Sequence, residues 1–532
     1  MNRRELIQLA ATAAGLQAIS HKAYSQVKVK ENPFKLGIAS GAPTPDGVVL
    51  WTKLLSDGWF SNSMGNAPID VRFEVANDEQ FKSIALQGTA AALPQLGHAV
   101  HAELRGLEAD RWYFYRFMLD DAVSAVGRTR TAPEANAIVK KMRFAFASCQ
   151  RWEHGFYAAY VQMLADNPDL VVFLGDYIYE YATPKNVPAH FVRTHILRKA
   201  ITLADYRDRY ALHKSDPALQ AMHAAAPWVM TWDDHEVDND YAGAQSQDLQ
   251  SHFLERRAAA YQAFYEHMPL PISQLKAGLA SLGQPDAVRV TQRLTWGQLA
   301  SFHLLDCRQF RDVQACSPEG RGGSRVVRAS QCSEYIDPKR SMLGAAQEAW
   351  LDAGLARDVS SHNRWSVLAQ SSMFSRMDSR ADSDQGIWTD GWDGYPAARQ
   401  RLTDSLLAKP SLHPVLIGGD VHYAAASTVK SNFDNTDSIR KAKNVATEFC
   451  GTSISSHGGF MPERIPHLLD KNPHLAFVNG EKRGYTRMDV TASTLTASLM
   501  GVDDPSKPDS ATRPLTQFVV ERGNKMPIKI NQ

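Results

Sequence analysis

Long hydrophobic runs are missing from this chain of 532 residues. No window reaches about 18 uninterrupted apolar residues, so no spanning helix is expected and any membrane role would be peripheral. A charge excess is missing too. Lys and Arg number 58 against 57 Asp and Glu, which leaves no global basic field to draw in a nucleic-acid backbone or an anionic membrane, so no specific nucleic-acid binding is expected. Low-complexity segments and internal repeats are absent, and 22% charged with 44% hydrophobic residues is the balance of an ordinary folded protein. Cysteine is scarce and odd in number: Cys149, Cys307, Cys316, Cys332 and Cys450. In an exported protein that leaves at least one thiol unpaired. Cys316 and Cys332 flank a loop rich in Gly, Ser and Arg and are the easiest pair to bridge, Cys307 and Cys450 could pair or stay as buried thiols, and Cys149 is the odd one out.

At about 150 residues per domain the length suggests three to four domains, or two with one large. Residues 1–25 differ from the rest. Arg3 and Arg4 precede a mildly apolar stretch, Leu6 to Ile19, and small residues at Ala23 and Ser25, the layout of a twin-arginine export leader. Its loss leaves a near-neutral mature chain, placed in the periplasm or secreted, with the twin-arginine machinery as a partner. From 30 to 132, short apolar runs punctuated by Pro and Asp-Gly, and the alternation of Ile69, Val71, Phe73 and Val75 with Asp70, Arg72 and Glu74, predict a small β-sandwich. Leu107 and Tyr113 have the look of the tyrosine corner of immunoglobulin-like and fibronectin-like sandwiches. Residues 131–141 read as a linker. From 142 to 505 the pattern becomes strand and helix in alternation, an α/β domain with a sheet core and flanking helices. Residues 506–532 read as a Pro-containing C-terminal tail.

The chemistry gathers where apolar strands end. Phe144-Ala-Phe-Ala-Ser-Cys149 delivers a thiol, and Val171-Val-Phe-Leu-Gly175-Asp176 delivers a carboxylate with Tyr179 three residues on. Thr231-Trp-Asp233-Asp234-His235-Glu236-Val-Asp238-Asn239-Asp240 packs seven oxygen or nitrogen ligands into eight residues, costly to bury unless something cationic pairs with them. Pro414-Val-Leu-Ile-Gly-Gly-Asp420-Val-His422 sets two ligands on one side of an extended segment. Each motif alone has a bland reading: a buried inert thiol, a packing tyrosine, a solvated loop. Four strand ends finishing in metal-competent groups are far less expected by chance. Carboxylate and amide oxygens suit hard divalent ions, while thiolate, phenolate and imidazole suit iron or zinc, so two unlike metals are the economical reading. An Asp between them can bridge, holding them about 3.5–4 Å apart as two-metal hydrolases require.

At these residues the chain resembles the PhoD-like alkaline phosphatase and phosphodiesterase family, within the calcineurin-like metallophosphoesterase superfamily. The opening Pro33-Phe-Lys-Leu-Gly-Ile-Ala-Ser-Gly41 is similar to that family's N-terminal sandwich, the four motifs recur in its order, and Asp306-Cys-Arg308 and Asp390-Gly-Trp-Asp-Gly-Tyr395 are similar to further segments. The resemblance implies a metallophosphoesterase-type layered sheet core behind the sandwich and an exported phosphoric ester hydrolase. It implies Fe3+ held by Cys149, Asp176, Tyr179 and His422, with Asp176 bridging to a second site for Ca2+, one or more, or another divalent metal. Asp420 and a residue of the third motif would serve that second site, with Asp234 and Asn239 as rivals, because Asp234 stands where the superfamily has Asn. Catalysis would use water on a phosphoester substrate, with His235 protonating the leaving oxygen and Glu236 or Asp238 orienting it. Arg308 would clamp a phosphate oxygen or form a structural ion pair with Asp306, and Arg380 is a further clamp candidate.

Two other classes fit parts of the pattern. A mononuclear iron redox enzyme would use the Cys, Tyr, His and Asp, but leaves the additional Asp and Asn ligands idle. A calcium-stabilised polymer-binding module would use the acidic loop, but leaves the thiol and phenolate unexplained.

Overall fold

Strands buried on both faces are apolar at successive positions, and the sorting of large and small side chains decides which face meets another sheet and which meets helices. The computed structural model describes residues 31–56, 64–379, 384–460 and 462–530. The leader expected at 1–25 lies outside the described residues. A ten-stranded and a seven-stranded mixed sheet stack face to face, with helices over the outer face of each. In Lys141–Ala147, Phe144 and Phe146 point between the sheets while Ala145 and Ala147 face helices. In Leu170–Leu174, Leu170, Val172 and Leu174 join the inter-sheet core and Val171 and Phe173 face outward. Helices Leu203–Lys214 and Pro217–Ala225 cover that outer face. The first starts in a capping box between Thr202 and Asp205, the second at Asp216 with Pro217 in the first turn.

The ten-stranded sheet holds a parallel run of Lys141–Ala147, Leu170–Leu174, Pro227–Thr231 and Ile38–Thr44. The seven-stranded sheet holds a parallel run of Ala300–Leu304, Trp365–Ala369, Pro414–Gly418 and Asn444–Cys450. Both runs end at one edge of the stack, since a Cβ on Gly419, after a strand of the second sheet, would lie 2.5 Å from Ser148 Oγ, after a strand of the first.

The N-terminal β region is built as expected, with a qualification about its boundary. Ile69–Ala76, Ile84–Ala92, Trp112–Leu119, Ala122–Val123 and Gly127–Arg130 form one sheet, closed over a core that includes Val71, Val75, Tyr115 and Phe117. The facing strands Ile38–Thr44, Gly47–Lys53 and Ala99–Glu103 are continuous with the ten-stranded catalytic sheet through Ser40–Pro227 and Gly41–Trp228 pairing. The tyrosine corner is present: Tyr113 Oη accepts the Glu108 N–H at 2.9 Å. The expected tail at 506–532 is corrected. Thr512–Glu521 and Ile528–Ile530 are strands of the same ten-stranded sheet, and Pro514 is tolerated because it faces Met500 where the register shifts. Cys316 and Cys332 form a disulfide, and Cys149, Cys307 and Cys450 are buried free thiols.

Candidate metal centre

Four of the predicted ligands, Cys149, Asp176, Asp420 and His422, have left-handed backbone at φ 59°, 58°, 67° and 57°. Non-glycine residues adopt that region only when the surroundings impose it, and such strain gathers at functional sites. Here each parallel strand stops and turns its next residues inward across the end of the stack. Gly175, at φ 101°, makes the turn before Asp176, and a Cβ there would lie 2.6 Å from Asp233 Cβ. Glu236 locks two of these turns together, its Oε2 accepting the Asp176 N–H at 3.1 Å and the Asp233 N–H at 2.8 Å while Oε1 accepts the Tyr177 N–H at 2.5 Å.

Donor atoms of Cys149, Asp176 and His422 lie within 4.8 Å of one another, as do those of Asp176, Asp234 and His235, and those of Asp234, Asp240 and Asp390. Asp176 belongs to both of the first two groups, the position a bridging carboxylate must hold. Tyr179 Oη donates to Asp176 Oδ2 at 2.8 Å and lies 3.2 Å from His422 Nε2. His422 Nδ1 lies 2.7 Å from the His457 carbonyl. A carbonyl only accepts, so the proton is on Nδ1 and the Nε2 lone pair faces the site.

The pocket carries more negative than positive charge. Asp176 Oδ1 and Asp234 Oδ1 are buried without a hydrogen-bond partner, a costly state that a cation would relieve. Burial first, then the neighbouring carboxylates Asp234, Asp233 and Glu236, push the Asp176 carboxyl well above the usual range against the opposing His235. Burial and the charge of Asp176 likewise push up the Cys149 thiol and the Tyr179 phenol. Burial holds His422 down to about 3, so it is neutral and available as a ligand. Residues present and orphaned oxygens together fit a metal-binding site.

The remaining predicted residues are placed less uniformly. Asp420 accepts from Ser372 Oγ at 3.2 Å and lies 4.0 Å from Arg308 Nη2, which is 3.7 Å from Asp234. Asp234 belongs to two of the donor groups, and Asn239, its rival, offers its backbone N–H to Glu180 Oε1 at 3.0 Å. His235 stands beside Tyr179, ring centroids 4.1 Å apart, with Nδ1 2.8 Å from Glu180 Oε2. Its partner is therefore Glu180 and neither of the expected ones: Glu236 clamps backbone, and Asp238 pairs with Arg256 at 2.8 Å and Lys199 at 3.1 Å. Burial opposes the His235 cation, but the charges of Asp234, Asp176 and Glu180 outweigh it and raise its pKa.

Arg308 forms a structural ion pair, with Asp233 and Asp390 in place of the expected Asp306. It is 1% exposed, with Nε 2.5 Å from Asp233 Oδ1, Nη1 3.1 Å from Asp390 Oδ1 and Nη2 2.8 Å from Asp390 Oδ2. Its fork is held by the carboxylate cluster, while Asp306 Oδ1 accepts the backbone N–H groups of Arg308 and Gln309. Arg380 lies outside the described residues. Residues the motifs did not single out for a role are Asp240 and Asp390 in the third donor group, Glu180, and Ser456, whose Oγ lies 2.7 Å from Tyr179 Oη and 2.9 Å from the Cys149 carbonyl. Glu180 could have been found by its place after Tyr179. Ser456 sits in an unpatterned loop and gave no signal.

Comparison with known proteins places the chain in a family. The PhoD-like phosphatase family model matches residues 144–499, and the model of the PhoD-like phosphatase N-terminal domain matches 19–133. The chain is 42% identical over 534 residues to alkaline phosphatase D of Bacillus subtilis (strain 168), covering 98% of this chain and 88% of the relative. The solved structure of PhoD superposes with a TM-score of 0.86 at 41% identity, covering 95% of this chain and 93% of that one.

Proposed function

Because the chain belongs to the PhoD-like phosphatase family and is a phosphoric ester hydrolase, we propose that it is metal-dependent and cleaves phosphomonoesters, phosphodiesters or both with water as nucleophile. Its ferric ion would be held by Cys149, Asp176, Tyr179 and His422, and calcium by Asp176, Asp420 and Asp234 or Asn239, with Asp240 and Asp390 open to a further calcium. The observation that carries this reading is Asp176, shared by two donor groups with one carboxylate oxygen unpartnered. Cations bound there supply a positive field that eases deprotonation of water and neutralises phosphoryl oxygens in an in-line displacement.

The chain's own side chains supply the rest. Glu180 holds the His235 ring by Nδ1, which leaves Nε2 to carry a proton to the departing alkoxide. Glu236 fixes the turns that aim Asp176 and Asp233, and Arg308 holds Asp233 and Asp390 in place, its charge favouring their ionised forms. No covalent enzyme intermediate is required. The iron redox reading and the polymer-binding reading do not account for kinship to phosphatases over nearly the whole chain.

We extend the proposal to export. Arg3, Arg4 and the apolar stretch after them read as a twin-arginine leader, which would carry the folded protein to the periplasm or beyond. No helix among the described residues is long and apolar enough to cross a membrane.

The test is hydrolysis of p-nitrophenyl phosphate and bis-p-nitrophenyl phosphate with metal analysis. Turnover should be abolished by chelation and by Asp176→Ala, and the purified protein should show a visible tyrosinate-to-iron absorption that Tyr179→Phe removes. Full activity of an iron-free, colourless enzyme would refute the iron assignment, and turnover retained in Asp176→Ala would refute the bridging role.

A further inference from the structure

The non-bridging oxygens of a phosphoester accept cationic donors alongside any metal, and an arginine fork matches their geometry. The arginine expected to do this, Arg308, is 1% exposed and pairs Nε, Nη1 and Nη2 with Asp233 and Asp390. Arg311 is held by Asp390, and the buried Arg483 gives its fork to the carbonyls of His422, Ser456, Gly458 and Gly480. One arginine at the ligand cluster is different. Arg151, two residues after Cys149, lays its guanidinium 5.7 Å from the Tyr179 ring centroid, 5.1 Å from Tyr181 and 5.4 Å from Phe191.

Resting on the reading that the site cleaves phosphoesters, we infer that Arg151 binds the phosphoryl oxygens of the substrate. Its Nε lies 3.3 Å from the buried Glu153, and neither Nη group donates to a protein acceptor among the described residues. The edge of the fork away from Glu153 is thus open, on a side chain 18% exposed. The backbone is fixed from both sides, since the Arg151 N–H donates to Ser456 Oγ at 3.0 Å and its carbonyl accepts from Ser455 Oγ at 2.8 Å. Ser456 is the residue that also touches Tyr179, so the arginine and the predicted ligand are positioned by one loop.

The surroundings suit an anion-binding fork. Stacking on aromatic faces orients a guanidinium without consuming its N–H donors. The neighbouring imidazoles of His154, His190 and His457 form a wall that is not a metal cage: His154 Nδ1 accepts the His457 N–H at 2.9 Å, and those two rings stack with 15° between planes. With its acceptor nitrogen engaged, His154 carries its proton on Nε2 and has no lone pair for an ion. The charge offered to a phosphate in this quarter of the site is therefore that of Arg151.

The experiment compares the metal-loaded wild type with Arg151→Gln and Arg151→Lys, measuring inorganic phosphate affinity by calorimetry and kcat and KM on the mono- and diester substrates. Arg151→Gln should weaken phosphate binding at least tenfold and raise the monoester KM by a similar factor, more than the diester KM, because the monoester carries the greater charge. Metal content and visible absorption should stay as in the wild type, and Arg151→Lys should restore part of the loss. Phosphate affinity and KM within twofold of wild type in Arg151→Gln would overturn the assignment, as would a loss explained by lower metal content. Phosphate binding needs no turnover, so failure of the wild type to cleave either ester would sink the functional reading and leave the test of Arg151 intact.

Discussion

Glu180→Gln removes one charge and almost no volume from the partner of His235. Wild-type Glu180 is fully buried, accepts the Asn239 N–H through Oε1 and lies 2.8 Å from His235 Nδ1 through Oε2. Glutamine can satisfy only one of these contacts with its carbonyl oxygen, so either the Asn239 N–H faces an amide N–H or the amide N–H faces His235 Nδ1, which must then give up its proton; either way the imidazolium that can spare the Nε2 proton loses its counter-charge. Partners that orient a working imidazole typically carry a 10- to 100-fold effect. We therefore expect kcat to fall about 10- to 100-fold, or about 1.4–2.7 kcal/mol. The assay that isolates the cause is a series of phosphate esters with leaving alcohols of rising pKa. If His235 delivers the proton, nitrophenyl esters, whose leaving group needs little help, should lose least and alkyl esters most. The two residues act as one unit, so adding Glu180→Gln to His235→Asn should cost less than about threefold. A loss equal for all leaving groups, or additive with His235→Asn, would refute the orienting role.

Two further outcomes are expected from buried charges. Arg308→Met should destabilise the protein by about 3–5 kcal/mol in denaturant titration, because it strands Asp233 without its cation and leaves Asp390 to Arg311 alone; a cost under about 1 kcal/mol would mean that Asp233 is neutral in the fold. Lys214 is buried over Trp51, its Nζ 4.2 Å from the ring centroid, and burial pushes its amine down to about 7 from 10.5. The unfolded chain keeps that proton up to pH 10.5 while the folded chain gives it up near 7, so the penalty is full below pH 7, stability rises with pH across the window, and the penalty vanishes above 10.5. At about 1.4 kcal/mol per pH unit the penalty is about 5 kcal/mol, and stacking on the indole returns about 2. Lys214→Met should thus stabilise by about 3 kcal/mol at pH 6 and by little near pH 10, read from denaturant midpoints at the two pH values; a gain independent of pH would refute it.

Much of the fold was legible because a strand covered on both faces has no polar position to blur it. Leu170–Leu174 and Pro414–Gly418 announced themselves as apolar runs ending in glycine and ligand, and the left-handed backbone at Asp176 and Asp420 is the physical form of that ending. The tail was misread because Pro514 argues against a strand, and only the register shift opposite Met500 makes room for it. Arg308 was misread for another reason. Sequence places it near the cluster, but whether a fork is open or filled depends on Asp390, which arrives from 82 residues away. Glu180 stood beside Tyr179, but its contact with His235 spans 55 residues; Ser456 acts through a contact spanning 277 residues, and no local pattern encodes such a partner.

The strand Ile38–Thr44 pairs with Pro227–Thr231, and Thr512–Glu521 builds the opposite flank of the same sheet. The frontier between the two matched family regions therefore runs through a continuous ladder, and a chain cut near residue 133 would leave a raw edge on each fragment. Synthesis from the amino end must deliver Gly484–Thr491 before Lys141–Ala147, the strand that leads to Cys149, has a neighbour on both sides.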